Sequence, residues 1–393
     1  VRVLLFTGKG GVGKTTTAAS TALHLAARGQ RVVVTSADPA HSLSDSLGAE
    51  LGSEPTEVAP GCWAQQLDAR ERLEANWGEI RSFVLDVFDW AGVEAIEAEE
   101  LSVIPGLDEL FALTEVETLC RSGRYDIVVV DCAPTAETIR LLSLPDVLSW
   151  YMERLHPASR RLHRVVGPVV SRLTSLPVAD DSVFAAGQRF YDELDAVRRI
   201  LSDPTVTSAR LVLTPESMVI AEARRTYTYL SLFGYQVDAV VVNRVLPEQV
   251  SDPWFDEWRR TQAEHLATID AAFGAVPVLR ADHAGGEIVG TDALVGFAES
   301  LWGDHDPSSR LSEGLPLRVE RDGDQIVLSM DLPFTDAAEL DVTRNRDELF
   351  VALGPHRRTL VLPDSLRRRE IRSAALDDGR LRVRFGVAPA VPA

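Results

Sequence analysis

The chain has 393 residues, 45% hydrophobic and 25% charged, with a formal charge of −19, a length that accommodates two or three domains. No run of about 18 uninterrupted apolar residues occurs, which argues against a membrane span, and the negative balance argues against nucleic acid, whose readers carry a basic face. Three dispersed cysteines, Cys62, Cys120 and Cys132, without a C-x-x-C pair exclude a disulfide framework or a zinc knuckle built within one chain.

Val3 to Thr7 is the first of several short apolar runs expected as buried parallel strands; Arg31 to Ser36, Asp126 to Asp131 and Val237 to Asn243 follow, with Leu211 to Thr214 a fifth. The stretch around Val3 lacks the basic, apolar and small-residue sections of a secretion signal, so the expected compartment is the cytoplasm. Helical spacing separates the strands. This alternation predicts an α/β fold, a doubly wound and mostly parallel sheet with its ligand at the carboxyl ends of the strands. A helical insertion is expected in two pieces, roughly 68–122 and 140–202. Leu73, Trp77, Ile80, Val84 and Phe88 form one apolar stripe; Leu148, Met152, Leu155, Leu162, Val165, Val166, Val169 and Leu173 form another.

The nucleotide-binding domain is expected to end near residue 302, where composition shifts to Gly, Asp, Pro and Ser, so 303–314 reads as a linker. Beyond it the period changes to two: Ile326, Leu328, Met330 and Leu332 alternate with other residues, as do Leu349, Val351 and Leu353, and Leu381, Val383 and Phe385. Residues 315–386 are therefore expected as a small all-β sandwich, with 387–393 a frayed tail.

The chemistry concentrates behind the first strand. Gly8-Lys9-Gly10-Gly11-Val12-Gly13-Lys14-Thr15 satisfies G-x-x-x-x-G-K-[ST], follows a strand and precedes a helical pattern from Thr16 to Arg28. In such a loop the glycines turn successive amides inward, and with the helix N-terminus they make an anion site for the phosphates of ATP. Lys14 is expected at the β- and γ-phosphates and the Thr15 hydroxyl on Mg2+. The chain has 38 arginines and two lysines, Lys9 and Lys14, both in this loop. A compact ammonium fits a phosphate cradle that a planar guanidinium does not. Lys9 occupies a position the plain motif leaves open, and is expected to present its charge to phosphates across a homodimer interface, as an arginine finger does.

Asp38, in Asp38-Pro39-Ala40-His41-Ser42 at the end of the second strand, is placed to order the attacking water. Asp131, closing Ile127-Val128-Val129-Val130, is placed to bind magnesium. Asn243, at the end of Val240-Val241-Val242, is a candidate for the adenine edge or for turn chemistry.

GKGGVGKTTTAA, SADPAHSLSD, DCAPTAETIRLLSLP and VVVNRVLP together resemble the ATPase family of arsenical pump-driving ATPases and the cytosolic targeting factors for tail-anchored membrane proteins, over about residues 1–300. The resemblance implies a homodimer in which Lys9 contacts nucleotide in trans, Asp38 supports water attack and Asn243 binds adenine. Residues 315–386 are similar to the α-crystallin, or small heat-shock, domain: Met330-Asp331-Leu332-Pro333 matches an early strand, and Ala374 through Asp378-Gly379-Arg380-Leu381 matches A-x-x-x-D-G-x-L. The switch segment reads Ala136-Glu137 where the family more often has Gly-His, and three methionines are few for an adaptable client groove. The leading expectation is a magnesium-dependent ATPase whose helical insertion binds and releases a hydrophobic, membrane-protein-like client. The alternatives are an ATPase driving arsenite or antimonite efflux, which needs a cluster of thiols, and a nucleotide-dependent scaffold or positioning ATPase, for which no basic amphipathic helix is evident.

Overall fold

A computed structural model describes residues 1–36, 42–67, 107–132 and 181–386. The two insertion stripes from Leu73 to Phe88 and from Leu148 to Leu173, Asp38, Ala136-Glu137 and the 387–393 tail lie outside the described residues.

β1 (Arg2–Thr7) feeds the glycine loop and α1 (Lys14–Ala27). Small side chains make one face of α1 flat: Ala18, Ala19, Ala22 and Ala26 are buried and let the helix lie close on the sheet. β2 (Val32–Ser36), α2 (Ser42–Leu47), β3 (Thr56–Ala59), β4 (Cys62–Gln66), α3 (Leu107–Arg121) and β5 (Ile127–Asp131) follow. The next elements are α4 (Asp181–Ser202), β6 (Thr207–Leu213), α5 (Ser217–Phe233), β7 (Val237–Val245), α6 (Asp256–Phe273), β8 (Val278–Asp282) and α7 (Thr291–Trp302).

The eight strands form one sheet in the order β3-β4-β2-β5-β1-β6-β7-β8, parallel throughout except for the hairpin partner β3. β1 lies between β5 and β6, with Val3 level with both Val128 and Thr207. Chain order runs outward to β2 on one side of β1 and to β6, β7 and β8 on the other, so the loop after β1 sits at the reversal of strand order, where open α/β sheets bind ligands.

Three features differ from the sequence expectation for physical reasons. β6 begins at Thr207, four residues before the apolar run, because Arg210 is wholly buried and neutralised by the equally buried Asp238, at 3.2 Å. β4 carries Gln65 and Gln66 on an otherwise buried strand, where Gln65 Nε2 donates to Thr35 Oγ1 at 3.3 Å. β8 alternates buried and exposed residues as an edge strand does, too short a pattern to distinguish from a loop.

The all-β part comprises β9 (Leu317–Asp322), β10 (Gln325–Asp331), β11 (Leu340–Asn345), β12 (Glu348–Leu353), β13 (His356–Val361), the short α8 (Asp364–Arg367), β14 (Ile371–Asp377) and β15 (Arg380–Phe385). They make a four-stranded sheet, β14-β15-β10-β9, and a three-stranded one, β11-β12-β13. Every residue of the period-two apolar pattern is buried. Asp378 and Gly379 turn from β14 into β15 with positive φ at both positions, the conformation of a tight Asp-Gly hairpin. The Gly379 carbonyl accepts from the Leu332 amide at 2.7 Å, and a Cβ there would lie 3.1 Å from Pro333 Cα. The A-x-x-x-D-G-x-L pattern thus records a turn packed against the end of β10.

Residues 303–314 are strapped along the edge of the large sheet opposite the glycine loop. Arg210 Nη2 donates to the Pro307 carbonyl at 2.6 Å, Arg2 Nε to the Ser308 carbonyl at 3.2 Å, and the Leu311 amide to Asp238 Oδ2 at 3.2 Å. The β sheets then grip the C-terminal half of α5. Arg358 Nη1 donates to the Leu232 carbonyl at 2.6 Å, Thr228 donates to the Pro333 carbonyl, and the Tyr229 and His356 rings pack at a tilt of 52° with centroids 4.1 Å apart. Because α5 is about 25 Å long, this grip is remote from its first turn, which borders the candidate site.

Candidate nucleotide site

The glycine loop is shaped by two close approaches. A Cβ on Gly8 would lie 2.1 Å from the Val212 carbonyl oxygen of β6, and one on Gly13 would lie 2.2 Å from Asn243 Nδ2. Gly13 is left-handed, with φ 93°, and serves as the N-cap of α1 without contributing a side chain. The first turn of α1 holds no acidic residue, so the amides and the positive end of the helix dipole remain available to an anion. Lys14 is buried, and its Nζ donates to the Lys9 carbonyl at 3.3 Å, which keeps the ammonium folded across the mouth of the loop.

Thr15 and Asp131 meet at the ends of α1 and β5. Thr15 Oγ1 donates to Asp131 Oδ2 at 2.7 Å and Ser36 Oγ donates to the same oxygen at 3.3 Å. Asp131 is completely buried. A carboxylate flanked by two hydroxyls supplies the hard oxygen donors that magnesium takes, with room in its coordination for phosphate and water. The donor set fits the ion; Ser36 is a neighbour that sequence pattern alone does not single out. The next residue, Cys132, is no nucleophile: burial, then the Asp131 charge, with only partial relief from Lys14, pushes its thiol up to about 12.

Asn243 reaches the loop because β7 bulges there. Val242 pairs with Arg280 and Val245 with Asp282, so Asn243 and Arg244 are accommodated in the space of one residue of β8, and Arg244 takes φ 56°. The turn throws the Asn243 side chain back onto β1's loop, where Nδ2 donates to the Val12 carbonyl at 2.9 Å. A cleft of about 670 Å³ opens beside it, lined by Gly13, Thr16, Asp45, Asn243, Arg244 and the loop from Asp282 to Val289. That loop carries no motif and was not legible in the sequence, and Arg244, although it falls within VVVNRVLP, was not singled out there.

Gly10 and Gly11 are exposed in the same loop, and Val12 is buried under it. Lys9 lies on a different face. It lines a second hollow, about 600 Å³, with Met218, Trp254, Trp258, His265 and Arg244. Met218, Trp254 and Trp258 are 73%, 71% and 62% exposed, an apolar cluster unusual for a solvated surface. The structure therefore brings Lys14, Thr15, Asp131 and Asn243 around one loop and sets Lys9 towards a neighbouring aromatic hollow.

Among the described residues no helix is long and apolar enough to cross a membrane, and no three His, Cys, Asp or Glu side chains cluster as a metal site.

Comparison with known proteins agrees with this architecture. The family described as Anion-transporting ATPase matches residues 1–303, and the HSP20-like domain found in that family matches residues 323–385. A "Putative arsenical pump-driving ATPase" of Chlorobaculum tepidum is 37% identical over 388 residues, 98% of this chain and 96% of the relative. "Putative arsenical pump-driving ATPase 1" of Aquifex aeolicus is 34% identical over 387 residues, covering 96% and 98%. An "ATPase ASNA1 homolog" of Entamoeba dispar is 27% identical over 307 residues, 76% of this chain and 93% of that protein. A G-x-x-x-x-G-K-T loop on a doubly wound sheet followed by an HSP20-like β domain accords with these matches: the chain belongs to the anion-transporting ATPase family and hydrolyses ATP.

Proposed function

We propose that the protein is a magnesium-dependent ATPase that works in the cytoplasm as a nucleotide-switched homodimer and binds and releases a hydrophobic client. In this reading Gly8 through Thr16 cradle the phosphates, Lys14 neutralises the β- and γ-phosphates, Thr15 and Asp131 hold the magnesium ion, and Asn243 reads adenine. Bound magnesium supplies charge neutralisation at the phosphates. Asp38 orients the attacking water.

The observation that carries the dimer is the placement of Lys9. One of the chain's two lysines lines a hollow beside its own phosphate loop, among exposed tryptophans. A second copy seated there covers the apolar cluster and presents its phosphates to the ammonium, stabilising charge in the transition state.

The names of the relatives keep metalloid efflux as the second reading, but the thiols do not support it. Cys62 is level with Ile127 across β2, and Cys132 lies five residues beyond Ile127, just past the end of β5, an offset of roughly 16 Å along the strand direction alone. Burial pushes Cys62 up to about 12 and Cys120 up to about 11, so neither offers a thiolate at neutral pH.

The test is the affinity of a labelled, helical, apolar peptide for the purified protein, with magnesium and a non-hydrolysable ATP analogue and again with ADP. Tight binding in one nucleotide state and weak binding in the other is expected. Absence of binding in both, with turnover stimulated by arsenite or antimonite, would favour the metalloid reading instead.

A further inference from the structure

We infer that Gln66 is a positioning residue for ATP hydrolysis: from the end of β4 its amide holds α2 in place, and so fixes one wall of the nucleotide cleft and the far end of the segment that carries Asp38. The inference rests on the reading of Asp38 as the residue that orients the attacking water.

Across the parallel strands β4, β2 and β5, the residues Gln66, Ser36 and Asp131 stand level with one another. Level residues on parallel neighbours share a face of the sheet, so Gln66 lies on the Asp131 face, two strands and about 10 Å away. This row runs into a helix at each end. On one side Asp131 Oδ2 accepts from Thr15 Oγ1 of α1 and from Ser36 Oγ. On the other, Gln66 Oε1 accepts from the Ser44 hydroxyl at 3.1 Å and from the Ser44 amide at 3.4 Å. α2 is held further along as well, where the Ser46 carbonyl accepts from the Gly290 amide at 2.9 Å. Its Asp45 and Ser46 line the nucleotide cleft with Gly13 and Thr16. Ser36 and Ser44, which bracket Asp38 in the chain, are thus both anchored to members of one row.

Packing alone does not ask for glutamine at this place. Gln66 is 4% exposed on a strand whose Cys62 and Ala64 are wholly buried, and its Nε2 has no hydrogen-bond partner among the described residues. A buried N–H left unpaired opposes folding. Methionine, of similar length, would remove that N–H and lose only the bonds to Ser44. A side chain that opposes stability where it stands is explained by what it holds. The neighbouring Gln65 points to the opposite face and donates to Thr35 Oγ1 and to Glu115 Oε1 of α3, both at 3.3 Å. The end of β4 therefore grips α2 on one face and α3 on the other, immediately before the expected helical insertion. A displacement at the root of that insertion reaches the nucleotide cleft through Gln66.

The experiment compares full-length wild type, Gln66→Met, Ser44→Ala and the double variant. It measures steady-state turnover of magnesium ATP, calorimetric affinity for a non-hydrolysable ATP analogue with magnesium, and the unliganded melting temperature. Gln66→Met should lower kcat by about three- to tenfold, one hydrogen bond expressed as a rate. Analogue affinity should stay within about twofold, because the phosphate loop, Thr15 and Asp131 are untouched. The melting temperature should hold or rise, since the unpaired N–H is gone. The double variant should be no slower than Gln66→Met, because both substitutions remove the same contact. Unchanged kcat in Gln66→Met would overturn the inference, as would parallel losses of kcat, affinity and melting temperature, which mark a packing residue. Additive losses in the double variant would overturn Ser44 as the group that Gln66 holds. Asp38→Asn, measured alongside, separates the two readings: wild-type turnover there would remove the water-orienting role and this inference with it, whereas slow turnover beside an unaffected Gln66→Met would overturn this inference alone.

Discussion

Replacing three glycines of the phosphate loop by alanine, one at a time, should give three different outcomes, a finer distinction than the motif draws, since it fixes Gly8 and Gly13 and leaves Gly10 open. At Gly8 the new Cβ lands 2.1 Å from the Val212 carbonyl oxygen, an atom fixed in the central sheet. Relief requires moving the end of β1 from β6, a distortion of about 1–3 kcal/mol. At Gly13 the residue must hold φ 93°, which costs an L-residue about 1–2 kcal/mol. It also displaces Asn243 Nδ2 and the bond to Val12, worth about 1 kcal/mol more. Gly10 has nothing within 4 Å of the Cβ position and no positive φ. There alanine should be neutral or stabilise by about 0.4–1 kcal/mol through the unfolded chain. Urea unfolding of the unliganded protein, followed by far-ultraviolet circular dichroism, ranks the three. Losses of about 1–3 kcal/mol at Gly8 and about 2–3 kcal/mol at Gly13, with none at Gly10, are expected. Equal losses at all three would refute the assignment of Gly8 and Gly13 to close approach and Gly13 to the left-handed turn.

Three further outcomes follow from the packing. Arg210→Met should destabilise by about 3–5 kcal/mol by leaving the buried Asp238 with only the longer 3.7 Å pairing to Arg2, while Arg210→Met combined with Asp238→Leu should recover part of that loss in denaturant unfolding. All three cysteines should resist iodoacetamide at pH 7.5 in the native protein and react on unfolding, since burial holds each thiol protonated; fast native labelling of Cys132 would contradict its buried position. His24 and His356 are both held below the usual imidazole value by burial, with Arg28 adding to the effect at His24. The unfolded chain takes up protons below about pH 6.5 that the folded chain refuses, so their contribution is full above that value and stability falls as the pH drops below it. A His24→Gln, His356→Gln double variant should flatten the melting temperature between pH 7 and pH 5.

Much of the nucleotide half was legible because its signals are local. A parallel strand buried on both faces reads as a continuous apolar run, as in Ile127 to Val130, and a phosphate loop needs glycine and lysine at set intervals. Alternation at Ile326, Leu328 and Met330 likewise follows from a half-buried strand, and Asp378-Gly379 from a turn needing positive φ at both positions. These properties are carried by neighbours in the chain. β8, the polar start of β6 at Thr207 and the polar end of β4 at Gln65 were not legible; a buried Arg210, for one, is tolerable only with Asp238 beside it, 28 positions away.

The site divides in the same way. Gly8 to Thr16 could be singled out as a candidate phosphate loop from spacing alone, and Asp131 as a candidate metal ligand from its place after an apolar run. That Thr15 and Ser36 share one Asp131 oxygen, that Asn243 holds Val12 as it borders the cleft, and that Lys9 belongs to a hollow walled by Met218, Trp254 and Trp258 depends on contacts between elements up to 231 positions apart. Sequence by itself determined which residue types could bind a nucleotide and which segments could be strands, because sterics and hydrophobic period act over a few residues. Only the tertiary structure decided where each lysine lies and which main-chain groups the Asn243 amide meets, because a hydrogen bond or a hollow requires its partners to be brought together in space.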